Sequence, residues 1–393
     1  MPDRHVDHLL IGGGIACATA AATLRKEGAG GSVMLVGREL DAPYHRPPAT
    51  KGYLLGATTR EDALVHPQGW WAANDVELRT RTSVSALDPV AGVATLSTKE
   101  TVGFTTALVA TGAMVRRLAV PGTELDGLHY VRTLGNADLV KRDLEEARAR
   151  HVVLVGGSYV GCELAASLTT LGLRCTVLMQ EEEPMERGLG TTAGRRVREV
   201  LEAHGVTVRG GVDVEGFTGD GRIERVLLAG GEQLLADAVV AGVGAVPDVL
   251  LARKAGLAIG ALGGVECDAM LRSSALGVWA AGDICEYQSL LHGRRVRIEH
   301  EEVAAAQGAH AARAMLGATG AYAEIPFFWS ELADWMSVEY VGAAGDWARE
   351  ELDGDPRSGP FGVRYLDTDG VLVAALSVDG GGDLEAARAE LAA

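Results

Sequence analysis

Residues 8–22, HLLIGGGIACATAAA, decide how the chain is read. An apolar run ends in Gly12, Gly13 and Gly14, and apolar residues resume at once. That is the pattern of a buried strand, a tight turn and the start of a helix. Residues without a Cβ let such a turn bring backbone N–H groups against a pyrophosphate, and the helix turns its positive end toward the same phosphates. The third position of the G-x-G-x-x-G spacing holds Cys17, small enough to keep helix and strand close. One such turn says little, because glycine turns that bind nothing are common.

A second copy changes the weight of the first. Residues 151–165, HVVLVGGSYVGCELA, repeat strand, glycine turn and helix, with Gly156, Ser158 and Gly161 at the places of Gly12, Gly14 and Cys17. Each copy runs through its helix into another apolar strand that ends near an acid. SVMLVG (32–37) leads to Glu39, and CTVLM (175–179) leads to Glu181. A carboxylate at that place can accept hydrogen bonds from an adenosine ribose. Two complete units in one chain imply two dinucleotide sites, and two sites suggest electrons passing between two cofactors.

Bulk properties narrow the class. The chain of 393 residues is long enough for two or three domains, and 47% hydrophobic content excludes disorder. A net charge of −17 with no basic cluster argues against a nucleic-acid partner. The five cysteines (17, 162, 175, 267 and 285) include no C-x-x-C pair and no metal-ligand spacing, which fits a reducing compartment and no metal. Residues 9–24 are mostly apolar behind Arg4, but three glycines, Thr19 and Thr23 spoil a signal peptide. No stretch approaches a membrane-spanning length, so the expectation is a cytoplasmic protein without membrane contact.

Further along, DAPYHRPPATKGYLLG (41–56) is a proline-rich loop feeding a short helix, and it carries Arg46 and Lys51. Residues 61–74 read as an amphipathic helix, and 76–80 and 93–98 as strands. TTALVAT (105–111) is an apolar strand ending in Thr111-Gly112, and 116–122 is a linker. Helices are expected at 136–150 and around 194–204, with a strand at 206–209. LLADAVVAGV (234–243) repeats the form of the strand ending at Thr111-Gly112. GVWAAGD (277–283) is a strand ending in Gly282-Asp283, and 299–316 is an Ala-rich helix. Strands at 337–342, 362–365 and 371–376 predict a small antiparallel sheet, closed by a helix at 383–392.

The first glycine turn, PYHRPPATK (43–51), VATG (109–112), VGGSYVGCE (155–163), AAGD (280–283) and FFWS (327–330) together resemble the flavoprotein pyridine-nucleotide oxidoreductases of the glutathione-reductase fold. Among these the chain looks most like the ferredoxin reductases of bacterial oxygenase systems and the apoptosis-inducing-factor group. The resemblance covers essentially the whole chain. It implies an α/β fold with two Rossmann-like dinucleotide-binding domains and a C-terminal α+β domain. The implied boundaries are 1–114 with 245–322 for FAD, 115–244 for NAD(P)H, and 323–393 for the last domain.

Carried over residue by residue, the resemblance puts Gly12 and Gly14 at the FAD pyrophosphate, with Cys17 behind them. Glu39 is the nearest acid for the FAD ribose, although Arg38 stands where some relatives carry it. Arg46, Thr111, Gly112, Gly282 and Asp283 fall at FAD-contacting places. Gly156, Ser158, Gly161 and Glu181 fall at nicotinamide-dinucleotide places, where the acidic strand end favours NADH over NADPH. Lys51 and Glu163 match a pair that relatives hold near flavin N5, the lysine favouring electron density on the flavin and the glutamate holding it in place. Trp329 belongs to the C-terminal match. In RIEHEEV (297–303), many relatives place an aromatic residue against the flavin or nicotinamide where this chain has Glu301, which cannot stack.

The Lys51 loop has no cysteine, so a dithiol relay beside the flavin is not expected. Electrons would pass directly from flavin to an acceptor. The favoured acceptor is a [2Fe–2S] ferredoxin serving an oxygenase, with the reductase a monomer or homodimer. Two alternatives stay open: a flavin oxidoreductase acting on a small organic substrate, and an NADH-sensing binding protein like the apoptosis-inducing factors.

Overall fold

Strand Arg4–Ile11 lies inside the first sheet, and its consecutive residues Leu9, Leu10 and Ile11 are all buried, as expected for a strand covered on both faces. It pairs in parallel with Val33–Val36 on one side and Thr101–Val109 on the other. Val76–Arg79 extends the sheet beyond Val33–Val36, again in parallel. The far edge of Thr101–Val109 is shared. Its first half pairs antiparallel with Val93–Leu96, itself paired with Val84–Asp88, and its second half pairs parallel with Val278–Ala280. The computed structural model from which these elements are read describes residues 1–343 and 347–392. Its chain divides into two compact units, the first made of Met1–His45, Ala63–Met114 and Val246–Phe328.

Helix Ile15–Lys26 covers this sheet, and helix Glu301–Met315 packs on it so closely that a Cβ at Gly308 would run into the backbone of Ala16. Small residues make that approach possible. Ala16, Ala20 and Ala304, all buried, keep the two helix axes near each other. Residues 61–74 do not form the long helix expected from their pattern. Only Trp70–Ala73 is helical. Thr59 and Asp62 close a local turn through reciprocal backbone–side-chain bonds, and Pro67 removes a donor inside the expected helix.

The second unit comprises Arg46–Asp62, Val115–Ala245 and Trp329–Ala393. Its five-stranded parallel sheet runs in the order Thr207–Arg209, Arg174–Leu178, His151–Val155, Ala238–Ala241, Leu128–His129. All five residues of His151–Val155 are buried, as expected for a strand covered on both faces. An antiparallel sheet of Val214–Thr218, Arg225–Leu228 and Gln233–Leu235 packs onto it, with Phe217, Val226 and Leu228 sharing a core with Val153, Leu178 and Val239.

The expected single strand over 234–243 is therefore two. The break has a cause in Asp237, whose carboxylate accepts the N–H groups of Arg150 and His151 and turns the chain from one sheet to the other. The helix expected at 136–150 is Leu134–Glu146, started by Thr133 and Asn136, which cap each other. The helix around 194–204 begins earlier, at Glu186, and is interrupted at Gly190 (φ 79°).

The C-terminal antiparallel sheet has five strands: Phe327–Leu332, Met336–Gly342, Leu372–Val378, Phe361–Leu366 and Arg349–Asp353, in that order. The first and last of these were not anticipated. Helix Leu384–Leu391 follows, capped by Asp383. No helix of the described residues is long and apolar enough to cross a membrane.

Candidate functional sites

In the first unit, Gly12 sits where the strand Arg4–Ile11 ends, at φ 140°, a conformation that side chains rarely adopt. A Cβ there would also run into the carbonyl of Ala110. Gly14 is the N-cap of the helix that follows, and no side chain caps it. The first-turn N–H groups are thus left without intrahelical or capping partners, the arrangement that suits an anion. Cys17 is fully buried one turn further on, and burial pushes its thiol well up.

A cavity of about 240 Å³ opens beside this turn, lined by Gly12, Arg38, Ser83, Thr111 and Asp248 among others. Thr111 donates its hydroxyl to the carbonyl of Asp248 at 2.8 Å, and the Asp248 N–H reaches the Gly112 carbonyl at 2.9 Å. The Asp248 carboxylate, only 14% exposed, is paired with Arg38 at 2.7 Å. Glu39 is not among the cavity-lining residues; its carboxylate accepts the Tyr44 hydroxyl at 2.5 Å. The residue that reasoning from sequence missed here is Asp248. It follows strand Ala245–Pro247, far along the chain from the turn it meets.

The strand Val278–Ala280 ends in a short 3-10 turn at Gly282–Ile284. The Gly282 N–H donates to Gln307 Oε1 at 2.8 Å, while Gln307 Nε2 and His300 Nδ1 are enclosed without a hydrogen-bond partner. Burial pushes the His300 imidazole down to about 4, against a smaller opposing pull from Asp283. Enclosed polar atoms of this kind need a partner, and a polar cofactor edge would supply one. Glu301 begins the next helix and takes a 2.5 Å hydrogen bond from His45 Nδ1, which raises the His45 pKa above its ordinary value.

The second unit holds the second turn. Gly156 has φ 110°, and a Cβ would lie against the carbonyl of Gly242; a Cβ at Gly161 would meet the Gly156 carbonyl. Ser158 is the N-cap, but its hydroxyl goes to the Gly242 carbonyl at 3.0 Å instead of capping the helix. The helix Tyr159–Thr170 thus begins uncapped, like its counterpart. Glu181, beyond the end of strand Arg174–Leu178, is ion-paired with Arg187.

The same unit brings Lys51, Glu163 and Trp329 together from three distant parts of the sequence. Pro47 and Pro48 start a 3-10 turn whose end is Thr50, and Lys51 leaves it toward the helix Gly52–Leu55. Lys51 Nζ lies 2.9 Å from Glu163 Oε1 and 4.1 Å from the centre of the Trp329 ring. The side chains of Lys51 and Glu163 are 14% and 9% exposed, so this is a buried pair and not a solvated surface bridge. Two hydroxyls complete the carboxylate's surroundings. Ser330 donates to Oε1 and Thr50 to Oε2, each at 2.6 Å. Elsewhere in this unit, Arg46 donates to the Arg132 carbonyl at 3.0 Å.

All five cysteines are buried and free. Burial pushes Cys17, Cys162 and Cys285 well up and Cys175 up to about 11. None of these four is poised as a thiolate.

Comparison with known proteins agrees with this anatomy. The family described as pyridine nucleotide-disulphide oxidoreductase matches residues 6–308. The ferredoxin–NAD(+) reductase component of the anthranilate 1,2-dioxygenase system of Burkholderia cepacia is 33% identical over 398 residues, covering 98% of this chain and 94% of that protein. A rubredoxin–NAD(+) reductase of Pseudomonas putida is 31% identical, covering 86% and 87%. Among solved structures, putidaredoxin reductase in its covalent complex with putidaredoxin superposes with a TM-score of 0.92 at 27% identity, covering all of this chain and 94% of that one. Two uncapped glycine turns, a buried lysine–glutamate pair and these whole-length matches lead to one conclusion: the chain belongs to the pyridine nucleotide-disulphide oxidoreductase family.

Proposed function

We propose that this protein is an FAD-dependent NADH:ferredoxin oxidoreductase whose natural acceptor is a [2Fe–2S] protein of an oxygenase system. The observation that carries the reading is the combination of whole-length similarity to ferredoxin–NAD reductases with cysteines that are all buried. A member of a family named for disulphide chemistry that has no accessible dithiol must hand electrons on without one. FAD, when bound, supplies the exchange between a two-electron hydride donor and one-electron acceptors.

The chain's own residues supply placement and electrostatics. In the first unit, the amides after Gly12 and Gly14 would hold the FAD pyrophosphate, and the cavity bordered by Arg38 and Asp248 would take the adenosine end. Asp248, fixed by Arg38 and by the Gly112 carbonyl, offers the carboxylate that ribose hydroxyls need, a part that Glu39, turned to Tyr44, is less well placed to play. Gly282, Asp283 and Gln307 would hold the polar middle of FAD, Gln307 through its unpartnered Nε2. In the second unit, Gly156, Ser158 and Gly161 cradle the NADH pyrophosphate. Glu181, held by Arg187, would accept ribose hydroxyls, and its carboxylate takes up the cation that a 2′-phosphate would need, which favours NADH. Lys51 provides a fixed positive charge that favours electron density on the flavin, and Glu163 holds it.

The test is nucleotide and acceptor selectivity of the FAD-loaded protein. NADH should reduce the bound flavin at least tenfold faster than NADPH, and a purified [2Fe–2S] ferredoxin should then be reduced in proportion to reductase. Equal rates with both nucleotides would remove the role given to Glu181. Turnover of an organic substrate with no carrier protein would replace the ferredoxin reading.

A further inference from the structure

Thr50 and Ser330 have no part in the pairing of Lys51 with Glu163 if that pair is considered alone. The geometry around the carboxylate gives them one. Glu163 Oε1 receives both Ser330 Oγ at 2.6 Å and Lys51 Nζ at 2.9 Å, and Oε2 receives Thr50 Oγ1 at 2.6 Å. Thr50 Oγ1 also lies 3.1 Å from the Pro47 carbonyl, but it has a single hydrogen, and the shorter contact to a charged acceptor takes it. The backbone of Thr50 is held as well. Its carbonyl accepts Ser167 Oγ at 2.7 Å, one helical turn beyond Glu163 on the helix Tyr159–Thr170. One face of that helix therefore grips residue 50 twice, through Glu163 and Ser167. Ser330 closes the other side from the strand that also carries Trp329. Thr50, Glu163, Ser167 and Ser330 are all buried.

A carboxylate held by one cation alone swings about its side-chain torsions and takes the lysine with it. A carboxylate with a donor on each oxygen from two further segments has one orientation. We propose that Thr50 and Ser330 are positioning residues: their hydroxyls lock the Glu163 carboxylate, and the locked carboxylate fixes the Lys51 ammonium over the Trp329 ring. The role of Lys51 itself rests on the function proposed above. What the clamp adds is that hydride transfer depends on two hydroxyls that touch neither the ammonium nor the nucleotide turn.

The test uses the FAD-loaded protein and the variants Thr50→Val, Thr50→Ser, Ser330→Ala, Lys51→Met and Glu163→Gln. Thr50→Val keeps the shape and removes the hydroxyl; Thr50→Ser keeps the hydroxyl and removes the methyl. The first readout is structural. The chain has lysine only at 26, 51, 99, 141 and 254, so nitrogen-15 lysine side-chain NMR resolves the Lys51 signal, assigned by its loss in Lys51→Met. An ammonium 4.1 Å above an indole carries a ring-current shift that depends steeply on position. The second readout is the limiting rate of flavin reduction by NADH together with the apparent NADH dissociation constant.

Thr50→Val and Ser330→Ala should each shrink the Lys51 shift by half or more. Each should also slow flavin reduction by about tenfold, within the range expected for sub-ångström misplacement, with NADH binding changed less than about twofold. Thr50→Ser should behave like the parent in both readouts. If either variant folds poorly, the other carries the test alone, since both hydroxyls serve one carboxylate. Unchanged shift and rate in Thr50→Val and Ser330→Ala, with Lys51→Met slow, would overturn the clamp and leave the function of Lys51 standing. A Thr50→Ser protein as slow as Thr50→Val would also overturn it, because shape and not the hydroxyl would then be at work. Parent-like reduction by both Lys51→Met and Glu163→Gln would remove the function assigned to the pair, and the clamp's catalytic role with it.

Discussion

Replacing Glu163 with alanine should destabilise the second unit far more than replacing it with glutamine. The structure sets the scale. In Glu163→Ala the Lys51 side chain, only 14% exposed, keeps the Trp329 ring but loses its carboxylate, and Ser330 loses its acceptor while Thr50 falls back on the Pro47 carbonyl. Removing one partner of a buried pair costs about 3–5 kcal/mol, and a cation–π contact recovers on the order of 1 kcal/mol. Glu163→Gln keeps an acceptor for Lys51 and Ser330 and loses only charge, so about 1–3 kcal/mol is expected. A chain of two units does not melt in one step, so a single melting temperature is the wrong observable.

Amide hydrogen exchange followed by mass spectrometry localises the effect. Protection should fall in peptides from residues 47–55 and 159–170 and stay unchanged in the first-unit strand Arg4–Ile11. The double variant Lys51→Met/Glu163→Leu should recover most of the loss, because it removes both charges together. The reasoning fails if Glu163→Ala exchanges like the parent. It fails equally if the double variant is worse than Glu163→Ala, since the pair would then not be the source of the cost.

Further outcomes follow from the same geometry. Gly156→Ala places a methyl against the Gly242 carbonyl at a φ of 110°, so NADH binding should weaken by at least tenfold while FAD content is retained; undiminished binding by titration would contradict the turn's role. Asp248→Ala strands Arg38 at the cavity, and FAD affinity measured by fluorescence on the apoprotein should fall by about tenfold, with NADH binding unaffected; parent-like FAD affinity would return the ribose to Glu39. The hydrogen bond that His45 donates to Glu301 raises the His45 pKa, so the charged pair's contribution is fully present below about pH 6.5 and is lost as pH rises through the raised folded value. The stability advantage of the parent over Glu301→Gln should therefore shrink between pH 6 and 8; an advantage that grows with pH would refute the assignment.

Much of this was readable from the chain because the decisive features are local. The run HLLIGGG fixes strand, turn and helix within its own residues, and its repeat at HVVLVGG does the same. Both turns show the positive-φ glycine and the following helix that the pattern implied, and the structure adds that neither helix has a side-chain cap. The α/β architecture followed from that repeat. Less legible was anything decided by tertiary partners. Residues 61–74 carry helical periodicity, but Pro67 and the Thr59–Asp62 turn cut it short. Residues 234–243 form one apolar run, yet Asp237 divides it by capping a strand that begins 86 residues earlier. Asp248 bears no motif of its own, and Ser330 closes the FFWS motif with nothing in the sequence to show its partner; only folding brings them to the cavity and to Glu163. Thr50 went unremarked within PYHRPPATK, because its value lies in what its hydroxyl touches.

The central claim, that electrons run from NADH through bound flavin to an iron–sulfur carrier, is tested most directly by anaerobic double-mixing stopped flow. The FAD-loaded protein is mixed first with one equivalent of NADH and then with excess oxidised [2Fe–2S] ferredoxin. The account predicts rapid loss of the flavin band in the first mix. In the second, its return should match in time the reduction of two ferredoxins per flavin. Flavin that is reduced but returns no faster with ferredoxin than without it would contradict the account.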